Sequence, residues 1–74
     1  MNIEELKKVE LEFEGMADGL ASFYGEHKGK MIYVEFSNFD RFCFNKVENL
    51  ESILLENDYV FTSYDGQFIE ELSK

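Results

Sequence analysis

The chain has 74 residues, of which 16 are acidic and 7 are basic, and its formal net charge is −9. This length leaves no room for a second domain, and the charge argues against direct nucleic-acid binding, because phosphate contacts need a surplus of lysine and arginine. Hydrophobic residues make up 45% of the chain, too many for a disordered acidic tail. We therefore expect one compact acidic domain over residues 1–74.

The first predicted elements are a short helical turn, a strand and a hairpin. Asn2 can cap a turn that carries Glu5 at the capping-box position. Apolar and acidic residues then alternate strictly over residues 9–14, which predicts a strand with one buried and one solvated face. Asp18-Gly19 follows as a strong signal for a two-residue turn, since both residue types tolerate positive φ.

The loop after the second strand decides which side chains of the next strand face the core. A two-residue loop at 28–29 would place Tyr33 on the face that already holds Phe13. A three-residue loop at 27–29 instead places Val34 on that face. We choose the three-residue loop, because a slip of one residue would turn every core residue of the strand outward.

The same reasoning gives a fourth strand in a continuous meander. With residues 38–40 as the loop, Phe36 opposes Phe42 and Val34 opposes Phe44. The four strands then share one apolar face. Its predicted members are Val9, Leu11, Phe13, Ala17, Leu20, Tyr24, Ile32, Val34, Phe36, Phe42 and Phe44.

A helix with Asn45 as its N-cap and an end near Asn57, which can take the left-handed conformation, is predicted to cover this face. Residues 59–64 are rich in aromatic and β-branched side chains and predict a fifth strand, beside either the fourth strand or the free edge of the first. Residues 68–72 indicate a short helix, a strand end or an ordered tail. The predicted fold class is α+β: an antiparallel four-stranded β-meander covered on one face by one helix, plus a fifth strand and short terminal helices.

Candidates for catalysis and metal binding are few. His27 is the only histidine and has no partner at His-x-x-x-His or Glu-x-x-His spacing. Cys43 is the only cysteine, so no internal disulfide can form, and its role is predicted to be that of a small apolar side chain. We therefore expect no enzyme, no cofactor and no metal site.

The same composition predicts a location. A single thiol is typical of a reducing compartment. No segment approaches the roughly 20 apolar residues of a membrane span. The first residues lack the basic and apolar regions of a signal peptide, and an acidic surface is not attracted to anionic lipid. These features predict a cytoplasmic protein that binds no membrane.

Acidic residues are concentrated in two parts of the chain. Glu10, Glu12 and Glu14 project from one face of the first strand, about 6.8 Å apart by the strand rise. Residues 51–74 contain six acidic residues against one lysine, a balance of −5. A solubility surface is the ordinary explanation of such charge. A regular row of carboxylates also resembles the charged backbone of nucleic acid.

In the chosen register, the face opposite the core carries aromatic as well as acidic side chains. Phe23 and Tyr33 are predicted cross-strand neighbours on this face, with Glu14 and Glu35 close to them. Its other apolar members are Met16, Met31 and Cys43. An aromatic pair rimmed by carboxylates is typical of an interaction patch. The alternative is that the fifth strand or the tail covers this face through Phe61, Phe68 or Ile69.

These patterns predict a small acidic, non-enzymatic binding protein that docks a carboxylate-rich surface onto a basic partner surface. The most specific version of this prediction is an inhibitor that mimics nucleic acid and blocks a DNA- or RNA-handling protein. The expected contact residues are Glu10, Glu12, Glu14, Phe23, Tyr33 and Glu35. A second candidate patch consists of Glu51, Glu56, Asp58, Glu70 and Glu71.

In size and acidic composition the chain resembles small phage-encoded anti-host and anti-CRISPR proteins, although it shares no motif with them and no residue is carried over. The alternative hypothesis is a self-associating accessory protein that uses the outward sheet face as a homodimer interface. A net charge of −9 on each chain opposes that association.

Overall fold

The computed structural model describes residues 2–37 and 47–74 of the chain. Within these ranges the fold is α+β and dominated by one antiparallel sheet, whose strand order is β4-β1-β2-β3-β5-β6. The strands are β1 (Glu10–Ala17), β2 (Leu20–His27), β3 (Lys30–Phe36), β4 (Val47–Asn49), β5 (Val60–Tyr64) and β6 (Gln67–Phe68). The helices are α1 (Ile3–Lys7), α2 (Leu50–Glu56) and a 3₁₀ helix (Glu70–Leu72).

Both α-helices begin at an asparagine cap. The side chain of Asn2 accepts hydrogen bonds from the backbone N–H groups of Glu4 and Glu5, as the sequence predicts. The cap of α2 is Asn49, whose Oδ1 accepts from Glu51 N at 2.8 Å. The predicted start of the covering helix is therefore wrong, and Asn45 lies outside the described residues.

The segment before α2 is extended because it pairs with the free edge of β1. In β4, Val47 is the partner of Glu12 and Asn49 is the partner of Glu10. The end of the helix at Asn57 is confirmed, but Asn57 is extended rather than left-handed, with φ −125° and ψ 143°. Its Nδ2 donates to Ile53 O at 2.8 Å and so satisfies one of the last carbonyls of the helix.

Three two-residue hairpin turns share one backbone conformation. Asp18-Gly19, Lys28-Gly29 and Asp65-Gly66 each combine φ values of about 54° and 78°. Positive φ at both central positions defines the type I′ turn, whose twist matches that of the flanking strands. The three-residue loop predicted at 27–29 is therefore wrong, since His27 and Lys30 are direct partners.

A β-bulge in β1 explains how the two-residue turn at Lys28-Gly29 is compatible with core residues on one side of the sheet. The register shifts between Phe13, which is the partner of Phe23, and Gly15, which is the partner of Ser22. The extra residue in β1 allows Phe13 and Phe23 to share a face. The predicted placement of Tyr24 on the same face as Phe13 is wrong for the same reason, since Tyr24 is the partner of Glu12.

The meander is confirmed for β1, β2 and β3, but not for a fourth strand. Both edges of β3 are occupied, because Phe36 is the partner of Ala21 on one side and of Val60 on the other. The β5 strand thus takes the place predicted for residues 42–44, which lie outside the described part of the chain. Neither predicted pairing of the fifth strand is observed.

The core lies between one face of the sheet and the helices. Phe23 is fully buried at its centre, with its ring 5.6 Å from that of Phe13 and 5.5 Å from that of Phe36. Of the predicted apolar face, Tyr24 and Ala17 are exposed. The buried core consists of Leu6, Leu11, Ala21, Phe23, Ile32, Val34, Phe36, Leu50, Ile53, Val60, Ile69 and Leu72.

The C-terminal segment returns to the edge of β5. Lys74 and Val60 exchange backbone hydrogen bonds of 2.9 and 3.0 Å, and the hydroxyl of Thr62 donates to Leu72 O. Ile69 is buried in the core. The tail therefore covers the strand edge and the core side of the sheet, not the outward face.

Candidate functional site: an acidic outward sheet face

The outward face of the sheet is lined by alternate residues of its strands, because successive side chains of a strand point to opposite sides. On β1, β2 and β3 five of these residues are acidic. We call this surface the acidic face. Its members are Glu10, Glu12, Glu14, Tyr24, Glu26, Tyr33 and Glu35.

Two tyrosines occupy the middle of the acidic face. Tyr24 and Tyr33 are direct partners in the β2–β3 register, and Glu12 is the partner of Tyr24 on the other side. The hydroxyl of Tyr24 donates to Glu12 Oε2 at 3.2 Å. This bond fixes the orientation of one carboxylate of the predicted row.

A second hydrogen-bonded group lies beside the first. The hydroxyl of Tyr33 donates to Glu35 Oε2 at 3.0 Å and lies 3.0 Å from Ser22 Oγ. Each tyrosine hydroxyl therefore contacts a carboxylate, so both phenols act as donors and hold a glutamate at the surface. The arrangement is preorganised, since the side chains need no rotation to present their charge.

The carboxylates raise the pKa of both tyrosines. For Tyr24 the causes are the hydrogen bond to Glu12, the charge of Glu12, partial burial and the charge of Glu14. For Tyr33 the hydrogen bond with Ser22 lowers the pKa, but burial, the hydrogen bond to Glu35 and the charges of Glu35 and Glu14 outweigh it. The charge of Glu14 thus contributes to the raised pKa of both phenols.

A shallow groove of about 430 Å³ runs along one end of the acidic face. Three of its lining residues are carboxylates, and its walls include Tyr24 and the exposed side chains of Met31 and Val47. Such a groove matches a long cationic side chain, because an aliphatic stem and a charged head need different surroundings. The carboxylates that line it are Glu10, Glu12 and Glu26.

The ion pairs between described residues all lie away from the acidic face. Lys7 pairs with Glu4 at 3.3 Å, and Lys28 pairs with Glu5 at 3.4 Å. Lys30 lies 3.9 Å from Asp65, and Glu5 is also 3.5 Å from His27 Nε2. Within residues 2–37 and 47–74, the five carboxylates of the acidic face are therefore not neutralised by a lysine.

The outward face continues beyond the acidic face into an aromatic edge, which consists of Phe61 on β5 and Phe68 on β6. Their rings are stacked, with centroids 5.4 Å apart and an interplanar angle of 28°. Phe68 is 57% exposed. These rings extend the outward face and do not cover its acidic part, so the predicted alternative of a covering strand is wrong for Phe61 and Phe68.

The structure brings together most of the first predicted contact set. Glu10, Glu12, Glu14, Tyr33 and Glu35 share the outward face, in agreement with the sequence. Phe23 does not, because the bulge in β1 turns it into the core.

Tyr24 takes the place predicted for Phe23 as the cross-strand neighbour of Tyr33. The sequence contains a signal for this. Residues 22, 24 and 26 all carry polar atoms, whereas residues 21, 23 and 25 carry none in their side chains. The same signal identifies Glu26, which the contact set omits.

The second predicted patch is divided between different surfaces. Glu51 and Glu71 line one groove together with Lys7 and Lys74, so their charge is partly offset. Glu70 lines a different groove, next to the aromatic edge. The remaining two members, Glu56 and Asp58, are exposed. We do not regard these five residues as one site.

Other candidate chemistry is limited in the part of the chain that the structure describes. No group of three or more His, Cys, Asp and Glu side chains there is arranged to hold a metal ion. No helix in this part is long and apolar enough to cross a membrane. Cys43 lies outside the described residues.

The chain was compared with protein-family models, with curated proteins and with solved structures, and none of them matches it. The functional conclusion therefore depends on the surface alone.

Proposed function

We propose that the protein is a non-enzymatic binding protein whose acidic face docks onto a basic surface of a partner protein. In its sharpest form it occupies the nucleic-acid site of a DNA- or RNA-handling protein, as the phage anti-host and anti-CRISPR type of inhibitor does. One observation carries the proposal: five carboxylates share one sheet face, and the ion pairs of the described residues all lie elsewhere. The cytoplasm, where such partners work, is the proposed location.

Electrostatic complementarity supports this docking. A surface of one sign attracts a surface of the opposite sign over distances up to the Debye length, which raises the association rate and makes binding weaken with salt. The hydrogen bonds from Tyr24 and Tyr33 hold Glu12 and Glu35 in place, so little side-chain entropy is lost when a partner docks. Glu10 and Glu12 on β1 present charge at the regular strand spacing, as a nucleic-acid backbone does, and the bulge between Phe13 and Gly15 interrupts this spacing at Glu14.

Self-association through the same face is the weaker alternative. Two copies that meet face to face would bring five carboxylates from each together, and the ion pairs of the described residues lie away from this face, so like charges in contact would oppose association. Light scattering distinguishes the two ideas, because the proposal expects a monomer at concentrations at which a homodimer would form.

The test is displacement of a labelled oligonucleotide from purified nucleic-acid-binding proteins whose sites are basic. We expect the wild-type chain to displace the oligonucleotide at low ionic strength and to lose this ability as salt increases. The substitution set E10K/E12K/E14K should abolish displacement.

The matched control is E51K/D58K/E71K, which reverses three exposed acids of the second predicted patch. Each set replaces three acids by three lysines and therefore changes the formal charge from −9 to −3. The proposal expects the control set to retain displacement. Equal loss in both sets would mean that only bulk charge matters. Displacement that is insensitive to salt and to E10K/E12K/E14K would also contradict the proposal.

A further inference from the structure

We infer that the outward face fits a partner that binds single-stranded nucleic acid, through a basic groove lined with aromatic side chains. This inference rests on the proposed function and narrows its partner class. The observation behind it is that the aromatic edge lies on the same sheet face as the carboxylates. Phe61 and Phe68 form a stacked pair of rings at the end of the sheet opposite β4, in which Phe61 is half-buried and Phe68 is exposed.

The register shows that the acidic and aromatic surfaces are continuous. Glu35 on β3 is the direct partner of Phe61 on β5. A row of direct strand partners also crosses the sheet, from Glu12 through two tyrosines and a serine to Phe68. Its members, in order across the sheet, are Glu12, Tyr24, Tyr33, Ser63 and Phe68.

Carboxylates on β1 to β3 and rings on β5 and β6 thus form two neighbouring bands that run parallel to the strands. A single-stranded nucleic acid has the same two components, a charged backbone and flat bases with accessible faces. A duplex exposes its backbone but keeps the faces of its bases inside the stack. Proteins that bind single strands accordingly combine a positive groove with aromatic side chains on which bases stack.

Proteins that bind a duplex contact phosphates and the edges of bases in the grooves, and they do not need a ring to stack on. A surface that imitated only a duplex backbone would gain nothing from a stacked pair of phenylalanines with one exposed ring. A groove of about 310 Å³ beside the aromatic edge leaves room for a partner's side chain. Tyr59 and Lys74 also line that groove.

The sheet is not itself a binding face for a single strand. Such a face would also carry aromatic rings, but its charge would be positive. Glu12 and Glu35 are held on the surface by the tyrosines that would have to stack with bases, and their charge repels phosphate. The rings therefore serve contact with a protein rather than with a nucleic acid.

The test uses two peptides of equal length and charge, one alternating lysine with tryptophan and one alternating lysine with alanine. The chain contains no tryptophan, so the fluorescence of the first peptide reports its own binding, and calorimetry measures both. At about 10 mM salt the Debye length is about 30 Å and both peptides should bind. The tryptophan peptide should bind at least about fivefold more tightly, the smallest factor that stacking of one ring typically gives.

The variants separate aromatic stacking from general apolar contact. Phe68→Ala and Phe68→Leu should both remove the preference for the tryptophan peptide. Leu55→Ala should keep it, because Leu55 is 78% exposed on α2, outside the sheet. A preference that survives both Phe68 substitutions, or equal binding of the two peptides, would overturn the inference and leave the proposed function standing.

Two further outcomes distinguish failure of the proposed function from failure of the inference alone. If neither peptide binds, or if E10K/E12K/E14K binds them as tightly as the wild type, the proposed function fails and the inference fails with it. Direct binding of a single-stranded oligonucleotide to the wild-type chain would overturn the inference alone, because the outward face would then be a nucleic-acid surface.

Discussion

Tyr24 donates its hydroxyl hydrogen to Glu12 across the β1–β2 pair, with 3.2 Å between the two oxygens, and the two residues are direct partners in the register. The bond lies on the exposed side of the sheet, where water competes with it. Its contribution to stability is therefore small, but it fixes where one surface charge lies. On β3, the hydroxyl of Tyr33 likewise fixes the carboxylate of Glu35, two residues along the same strand, through a part-buried hydrogen bond.

We expect Tyr24 and Tyr33 to ionise above the pKa of about 10 that free tyrosine has. Glu12→Gln should bring the pKa of Tyr24 back towards that value, because it removes the charge beside the phenol. The measurement is a pH titration of the tyrosine ring carbons by NMR. An unchanged Tyr24 titration in Glu12→Gln would contradict the assignment of the cause.

The raised pKa values of the two tyrosines also determine how the stability of the protein changes with pH. A raised pKa means that the folded state binds the phenolic proton more tightly than the unfolded chain does. Below a pH of about 10 the two tyrosines therefore cause no change of stability with pH. Above it, the stability that they contribute is lost as the pH rises through the folded-state pKa of each tyrosine. The fall should be smaller in Glu12→Gln than in the wild type.

Phe23→Ala should destabilise the protein by about 3–5 kcal/mol, since it removes a fully buried ring that contacts two other rings. Tyr24→Ala is the matched control, as it truncates the neighbouring aromatic residue on the other face. The control should cost about 1 kcal/mol or less. Denaturant unfolding measures both. Similar losses in the two variants would contradict the observed register.

The first hairpin turn, at Asp18-Gly19, could be predicted from local sequence, but which face of β2 packs in the core could not. Asp18-Gly19 and the alternation over residues 9–14 act within one hairpin, so their signals are short-range. The bulge between Phe13 and Gly15 changes which residues of β1 and β2 are partners, and the alternating pattern does not indicate it. Without the bulge, strict alternation carried from β1 through the Asp18-Gly19 turn places Phe23 on the outward face.

The positions of β4 and β5 depend on contacts between distant parts of the chain. Val47 pairs with Glu12, and Val60 pairs with Phe36, in both cases over more than 20 residues. The sequence of 47–49 fits the start of a helix, yet the open edge of β1 offers backbone partners that a helix there would leave unused. The outward placement of Glu10 and Glu12 was predictable, because it needs only the period of one strand, whereas the bulge interrupts the regular spacing at Glu14.

Gly25→Ala should destabilise the protein by about 1–3 kcal/mol, because its new methyl group would lie 2.7 Å from Leu11 Cδ2 and 2.9 Å from Glu10 O. One of these contacts is backbone and cannot move aside. Gly15→Ala is the control, since no atom lies within 4 Å of the same position there. It should change the free energy of unfolding by about 0.5 kcal/mol or less. Equal effects would show that β1 and β2 approach less closely at Gly25.

Added salt should stabilise the wild-type protein. With a net charge of −9 and five close carboxylates on one face, the folded state suffers repulsion that screening reduces. The midpoint of thermal unfolding should therefore rise between about 10 mM and about 0.15 M salt, as the Debye length falls from about 30 to about 8 Å. The rise should be smaller for E10K/E12K/E14K than for E51K/D58K/E71K. A larger rise for E10K/E12K/E14K than for E51K/D58K/E71K would mean that the main repulsion lies outside the acidic face.

The most direct test of the docking surface is amide chemical-shift mapping of the labelled protein during titration with the lysine–alanine peptide, which probes charge alone. We predict that the largest shifts fall on the residues of the acidic face, from Glu10 to Glu35, and shrink as salt is added. Shifts confined to α2 and the C-terminal residues around Glu70 would contradict the assignment of the outward sheet face as the binding surface.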